Sequence, residues 1–594
     1  MTDTDSDWSK WLARIKEREK VFEDGWWKTA KKAQDMYDGG EDTPFNVLYA
    51  NTEILLPALY SNSPRPDIQA RSPQARPELP KILSAFLTSV VDCNTPGLES
   101  FDEAMEGAVL SALVPGAAAV RIRAYPSQLM PIRLEAVGHN ELLWGKAKKW
   151  SKVPWIAFRI PMSKEDIVST FSLDEEQARN LSAPSQQDLD SARSKKEKEG
   201  FYVYELWVKK DRQVVFLCEG LEDPLLDSPG DTLQLAGFYP TPGILTLVRK
   251  DGDLCPTPLF EYYRNQAEEL NRVTVRLTKV LSAIKVRGAY NSLVGTDLAR
   301  ILSDDDSENA LIPSSNPMDL QAGFDKQIWL LPIEKLVVVA TQLYEARERT
   351  KRVIYEITGL ADIVRGASVA SETATAQNLK DKWGSLRLRR LQKTVKLYVR
   401  DLFRLSVDAG TTLPTSDWKT LTGLSYPTQE EKVLAQQGVA HAQQMAQVTG
   451  FPPGPEVAQM AQTLAAPSWE DLLSSLKDDA ARSYLVDVES DSTLDSSAQT
   501  DKQEVSEFVM ALSQLVGALA PLAQMGEGVI AVARDILLAV ANKFRFGREL
   551  KDTLEKIPAN PTNQPNNEEE KKALDKAKKD IESGKAQLEQ QQTQ

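Results

Sequence analysis

Two long stretches of helical periodicity, 259–284 and 333–358, are separated by 45 residues that carry none (288–332), and this pattern constrains the fold more than any other feature. In the first stretch Leu270, Val273, Leu277 and Leu281 share one side, with Asn265, Glu268, Arg272 and Arg276 on another. That is the pattern of an amphipathic helix. Gly288 breaks it, and Gly359 ends the second. The insert contains strand-like Leu311-Ile312-Pro313, the acidic run Asp304-Asp305-Asp306 with Glu308, and Pro317. If the helices pair antiparallel, the ends of the insert lie close together. On 333–358, Leu336, Val337, Ala340 and Leu343 are expected to pack, while periodicity leaves Glu334, Glu345 and Glu348 unassigned.

Before this unit the chain changes character twice. Residues 8–38 read as an amphipathic helix with Trp8, Trp11, Ile15, Val21 and Trp26 among charges, ended by Asp38-Gly39-Gly40. Helices are also expected over 45–60, 79–93 and 101–113, the first closed by Ser63-Pro64-Arg65-Pro66. Short β-branched and aromatic runs at 118–124, 155–160, 201–208, 214–218 and 244–249 are strand signals, so an α+β body is expected over roughly 115–255. Residues 186–200 form a polar loop. The whole chain is expected to be α+β and mainly helical.

After Gly359 comes a segment rich in Gly, Ala, Ser and Thr (359–375), then a basic helix. Between 380 and 404 nine cations (Lys380, Lys382, Arg387, Arg389, Arg390, Lys393, Lys396, Arg400, Arg404) face two acids, Asp381 and Asp401. That helix suits DNA, or a solvated or subunit-pairing face; the pairing face is the stronger reading because the chain has acid to spare. Glu372-Thr373-Ala374-Thr375, with Ser371, suits a helix N-cap. Apolar stripes recur over 501–557, and 558–594 is polar with hardly any large apolar side chain.

Composition narrows the function. At 594 residues several subdomains are expected. With 71 basic and 85 acidic side chains the formal charge is −14. Such a chain does not hold duplex DNA by phosphate contacts, which depend on Lys and Arg. Cys93, Cys218 and Cys255 form no CxxC pair, which argues against a disulfide framework or a thiolate metal site. With only His139 and His441, histidine-based catalysis or metal binding has little material. Neither Gly145-Lys146-Ala147 nor Gly584-Lys585-Ala586 completes a phosphate-binding P-loop. Three consecutive acids at Asp304-Asp305-Asp306 do not converge on one ion and read as a solvated turn. Trp8, Trp11, Trp26 and Trp27 read as packing residues. Met1–Asp7 is acidic and polar, so no export signal is expected, and 508–525 reads as a buried helical hairpin rather than a membrane span. Neither enzymatic activity, a cofactor nor a metal is expected.

The order of long helix, compact insert, long helix, small-residue segment and basic helix resembles the bacteriophage portal family. Three segments carry the resemblance. Ile357-Thr358-Gly359-Leu360-Ala361-Asp362-Ile363-Val364-Arg365-Gly366, followed by Glu372-Thr373-Ala374-Thr375-Ala376, is similar to a "TG…D…G…ETAT" signature of portals from short-tailed phages. Residues 46–71 lead through a helix into Ser61-Asn62-Ser63-Pro64-Arg65-Pro66, and Val486-Asp487-Val488-Glu489-Ser490 precedes the closing helices. The likeness spans roughly 10–557, and its specificity lies in the combination rather than in any one motif.

The resemblance implies a portal fold assembled as a ring, expected to hold twelve subunits, at one capsid vertex. In its terms 1–258 is the N-terminal wing or body, 259–287 and 333–358 the stem, and 288–332 the clip. Residues 359–375 are the channel loop, 376–480 the wing helix and remaining wing, 481–557 the crown and 558–594 a polar tail. The ring would serve genome packaging and ejection, a structural rather than enzymatic role. It would dock the terminase large subunit, then head-completion or tail adaptor proteins, among capsid and scaffolding protein. Assembly would occur in the host cytoplasm and the final location is the virion, with no membrane partner.

Gly359, Asp362, Arg365, Gly366, Ser368, Ser371, Glu372 and Thr373 would form the narrowest part of the channel. Arg365 either touches passing phosphate or pairs with Asp362 or Glu372. Asp304, Asp305, Asp306 and Glu308 would meet partners at the clip. An acidic wall suits threading, because fixed cations would hold the polyanion. The alternative is another structural virion component, a scaffold or tail-tube protein, without a DNA channel.

Overall fold

The computed structural model describes residues 8–39, 44–70, 76, 78–181, 201–221, 223–228, 233–248, 252–284, 287–291, 310–314, 328–330, 333–359, 374–449, 455–479 and 484–488. The chain divides into two compact units, Met1–Asp495 and Ser496–Gln594, and every described residue lies in the first. The stretches 186–200, 501–557 and 558–594 lie outside the described residues. The first unit is α+β and mainly helical, as expected.

The N-terminal stretch, expected as one helix, is two. α1 (Trp8–Phe22) and α2 (Lys28–Asp38) are joined by a π-helical turn, Glu23–Trp27, where Gly25 leaves helical geometry at φ −105°, ψ −111°. Such a bulge re-aims the side chains that follow it. Here it buries both Trp26 and Trp27. Trp27 donates its indole N–H to His139 O at 3.0 Å, and the Trp26 ring stands edge-on to His139. Trp8 and Trp11 pack, partly buried, against the same core. All four tryptophans are packing residues, as the sequence suggests.

α3 (Val47–Leu59) starts at Asn46, whose side chain accepts from Tyr49 N, and β1 (Pro66–Ala70), α4 (Glu78–Asp92) and α5 (Phe101–Leu113) follow. Ser100 and Glu103 form a capping box at the start of α5. In its first turn, Asp102 accepts from Tyr60 Oη and Ser63 Oγ, which pins the Ser61–Pro66 bend.

β2 (Ala119–Ala124) and β3 (Ile132–Val137) make a separate antiparallel hairpin. β4 (Leu142–Trp144), β5 (Trp155–Met162), β6 (Phe201–Val208), β7 (Gln213–Cys218) and β8 (Leu226–Ser228) then form an antiparallel sheet in chain order. Two short helices, α6 (Lys164–Phe171) and α7 (Glu175–Asn180), come between β5 and β6. Residues paired in register share a face, so Arg159 and Tyr204 point one way, Phe158, Glu205 and Phe216 the other. α1 covers the first face. Arg159 donates to Glu19 at 2.6 Å, with both side chains almost fully buried, and Tyr204 Oη donates to the other Glu19 oxygen at 3.2 Å. The hairpin covers the second face: Arg121 and Arg123 each bond both Glu135 and Glu205. With both faces covered, β6 is a nearly continuous buried run rather than an alternating one.

One expected strand is absent. Among the described residues of that stretch, 244–248, only Leu245 pairs, exchanging two hydrogen bonds with Ala118. Leu245 and Leu247 are buried singly, as residues of a core-lining loop. The preceding Gly243 (φ +151°) gives its carbonyl to Tyr398 Oη at 3.3 Å instead of to a ladder. Apolar composition reported burial there, not pairing.

Beyond this body come α8 (Arg264–Ala283), β9 (Arg287–Asn291), β10 (Ala310–Ser314), β11 (Ile328–Leu330), α9 (Ile333–Thr358) and the long α10 (Ala374–Gly410). α10 buries Val395, Tyr398, Val399, Leu402 and Phe403 in the main core. α11 (Thr415–Thr422) stacks Trp418 on Phe86 at 4.4 Å between ring centres. α12 (Gln429–Thr449), α13 (Pro455–Ala465) and α14 (Trp469–Asp479) follow, and β12 (Tyr484–Val488) returns to pair antiparallel with β1, Pro66 opposite Val488. The N-terminal and C-terminal segments of the resemblance therefore meet in one ladder.

Candidate functional site

α8 and α9 pair antiparallel. At one end Phe260, Tyr263, Ala267 and Leu270 cluster with Ile354 and with Ala33, Val47 and Leu48 of the body. Toward the other, Leu277 packs with Ala340 and Leu343, flanked by Val273, Val280 and Ile284. Low numbers on α8 meet high numbers on α9, which fixes the direction. The first end is rooted in α2 and α3; among the described residues the second half packs only on itself. At 1.5 Å per residue α9 is about 39 Å long.

Ala340 and Leu343 pack as expected, and Leu336 is half-buried. Val337 does not: it is 47% exposed. At 100° per residue it stands about 100° around the helix from the seam that α9 presents to α8. Val337 and Tyr344 line one side of that seam, seven residues apart; Val339, Ala346 and Val353, also at seven-residue spacing, line the other. Tyr344 is 46% exposed, Val339 38% and Val353 37%. Glu334, Glu345, Arg349, Arg352 and Glu356 occupy the outer face between these flanks, with Val338, 57% exposed, among them. α9 thus has a buried seam, a charged back and two separate exposed apolar flanks.

The insert is a three-stranded sheet with β9 in the centre, parallel to β10 and antiparallel to β11. β9 follows α8 and β11 precedes α9, so their pairing brings the ends of the insert together, as antiparallel helices require. The strand expected at Leu311-Ile312-Pro313 is β10. Asp304, Asp305, Asp306 and Glu308 lie outside the described residues.

α9 ends at Gly359 (φ +73°), whose N–H bonds Tyr355 O at 2.8 Å. This left-handed conformation favours glycine. A Cβ there would stand 2.6 Å from Cδ of Arg387, which belongs to α10. Arg387 donates Nη1–H to Glu356 O and Ile357 O at 3.1 and 3.0 Å. It satisfies two terminal carbonyls and places a cation at the negative end of the helix dipole. Of the candidate loop residues only Gly359 is described; Asp362, Arg365, Gly366, Ser368, Ser371, Glu372 and Thr373 lie outside the described residues.

The basic face of α10 therefore divides. Arg387 caps α9. Arg400 and Arg404 approach Asp401 at 2.9 and 3.6 Å, and Arg404 also donates to Val486 O at 3.3 Å. Arg389, Arg390 and Lys393 are exposed and make no ion pair among the described residues. The capping role of Arg387 had only a weak signal in sequence, a cation some 28 positions beyond the glycine it covers.

Among the described residues no three His, Cys, Asp or Glu side chains are placed to hold a metal, and no helix is long and apolar enough to cross a membrane. No protein-family model matches the chain, and no curated protein matches it either.

Proposed function

We propose that this chain is a portal subunit: one of a ring of identical copies whose central channel passes the viral genome during packaging and ejection. The observation that carries the reading is the pair of apolar flanks on opposite sides of α9. Two different surfaces on one subunit suit a heterologous contact, in which one flank of each copy meets the other flank of the next. Repeated by a rotation that closes, such contacts make a ring. The helix pair supports this role because its distal half has no other packing among the described residues, and side-by-side copies would cover it. The three-stranded insert at the tip of the pair is the part left free for terminase and later adaptor proteins. The acid excess suits a wall along which DNA slides without being held. The role is structural, with the virion as its place.

Negative-stain images of the purified protein test the reading. Closed rings with a central hole at least as wide as duplex DNA, roughly 20 Å, are expected. Filaments, solid discs or monomers at every concentration would sink it.

A further inference from the structure

The outward side of α10, opposite its buried Val395, Val399 and Leu402, has no partner among the described residues. Leu386 and Leu397 are 49% and 37% exposed there, and Arg389, Arg390 and Lys393 stand exposed between them. Eleven helical steps from Leu386 to Leu397 make this strip about 16 Å long. Among the described residues Arg389, Arg390 and Lys393 have no acid partner, and Asp401 already serves Arg400 and Arg404. Cations alone would suit a nucleic acid. Two exposed leucines among them do not, because phosphate contacts offer nothing to an isobutyl group, whereas protein interfaces combine apolar centres with arginine.

An acidic patch lies on the same chain. Glu99, Asp102, Glu103, Glu106 and Glu141 gather where α5 begins and near β3, and none of them forms an ion pair among the described residues. Burial raises the Glu99 carboxyl above its ordinary range, and repulsion from Glu135, Glu103 and Glu141 adds to this. The strip begins beside the C-terminal end of α9, because Arg387, next to Leu386, is bound to the last turn of that helix.

We propose that the Leu386–Leu397 strip is a second intersubunit surface, docking on the acidic patch at the start of α5 of a neighbouring copy. The inference rests on the ring reading and adds a salt-sensitive charge lock to the apolar contact of the stem helices. Because strip and patch are different surfaces, the contact is again head-to-tail, with the same sense around the ring. Solvent-exposed charges are screened at high ionic strength, so the lock should weaken with salt.

Sedimentation velocity across a concentration series measures it. Arg389→Glu/Arg390→Glu/Lys393→Glu is expected to raise the concentration needed for assembly at least tenfold at low salt, with much less difference from wild type at high salt. Glu106→Lys, an exposed position that caps no helix, should do the same, and the charge reversals on both surfaces in one chain should recover part of the assembly. Arg390→Glu alone, with near-ultraviolet circular dichroism to confirm folding, is the milder variant. Assembly unchanged by the triple reversal overturns the inference while leaving the ring reading intact. Failure of the combined variant to recover overturns the pairing with the acidic patch. If the triple reversal abolishes binding to a duplex oligonucleotide but leaves assembly unchanged, the strip is a DNA surface and the inference falls. Wild-type protein that stays monomeric throughout removes the ring reading and this inference together.

Discussion

Glu19 fixes α1 to the sheet through an ion pair that water does not reach. Its carboxylate meets Arg159 at 2.6 Å, Lys16 at 3.2 Å and Tyr204 Oη at 3.2 Å, and the Arg159 guanidinium lies over the Tyr202 ring. A buried pair adds little over a well-packed apolar pair, but removing one partner strands the other charge. Glu19→Gln is therefore expected to lower the unfolding free energy by about 3–5 kcal/mol, read from urea denaturation. Glu19→Met/Arg159→Met should recover most of that loss; if the double variant is as unstable as the single, the stranded charge is not the cause. Asp408, on α10, behaves oppositely. Burial pushes its carboxyl up, against the lowering effect of a backbone N–H from Ala236. A raised folded pKa means that the charged form is the disfavoured one. Its contribution is most favourable below the unfolded value near 4 and is lost as pH rises through the raised folded value. Asp408→Asn should thus raise the melting temperature at pH 8 and change it little at pH 4. An equal gain at both values would show that titration plays no part.

At the scale of elements, the termination of α9 is the most local device and the easiest to test. Gly359→Ala forces an L-residue into left-handed geometry, costing about 1–2 kcal/mol, and drives its Cβ against Arg387. Arg387→Ala removes only the cap, about 0.3–1 kcal/mol. Hydrogen exchange at the amides of the last α9 turn should speed up in both variants, more in the first; unchanged exchange in Arg387→Ala would show that its contact with Glu356 O and Ile357 O contributes nothing. This junction also marks how far sequence carries. Gly359 was legible because one residue type answers a local backbone demand, and α8 and α9 because apolar side chains recur every three to four positions. The π-helical turn at Glu23–Trp27 was not, since its reason is the burial of Trp26 and Trp27 beside Trp144 and His139, more than a hundred residues away. Val337 failed for a similar cause: periodicity identifies apolar sides, but α9 has three of them and only the one facing α8 is filled among the described residues. α7 was missed because capping by Asp174 holds it with hardly any apolar stripe, and α6 because its apolar face, Ile167, Val168 and Phe171, spans little more than one turn.

At the scale of the whole molecule, the two flanks of α9 make a distinctive prediction. Val339→Asp/Val353→Asp and Val337→Asp/Tyr344→Asp should each leave a folded monomer that forms no ring. Mixed together, each variant still owns the flank the other has lost, so one contact per pair survives and dimers should appear by mass photometry, without larger closed species. Rings from the mixture would mean that the flanks are not the interface. The ladder between β1 and β12 bears on a different matter, the order in which this molecule comes into being. Its strands lie more than four hundred residues apart along the chain. At roughly 5–20 residues per second of synthesis, β1 leaves the ribosome roughly 20–80 seconds before its partner exists. Throughout that time a strand edge stands open, and an open edge is a template for aggregation. The wait ends only when Tyr484–Val488 emerges, so a nascent chain stopped anywhere before that point carries an unfinished body. A folded body therefore reports that translation has reached residue 488.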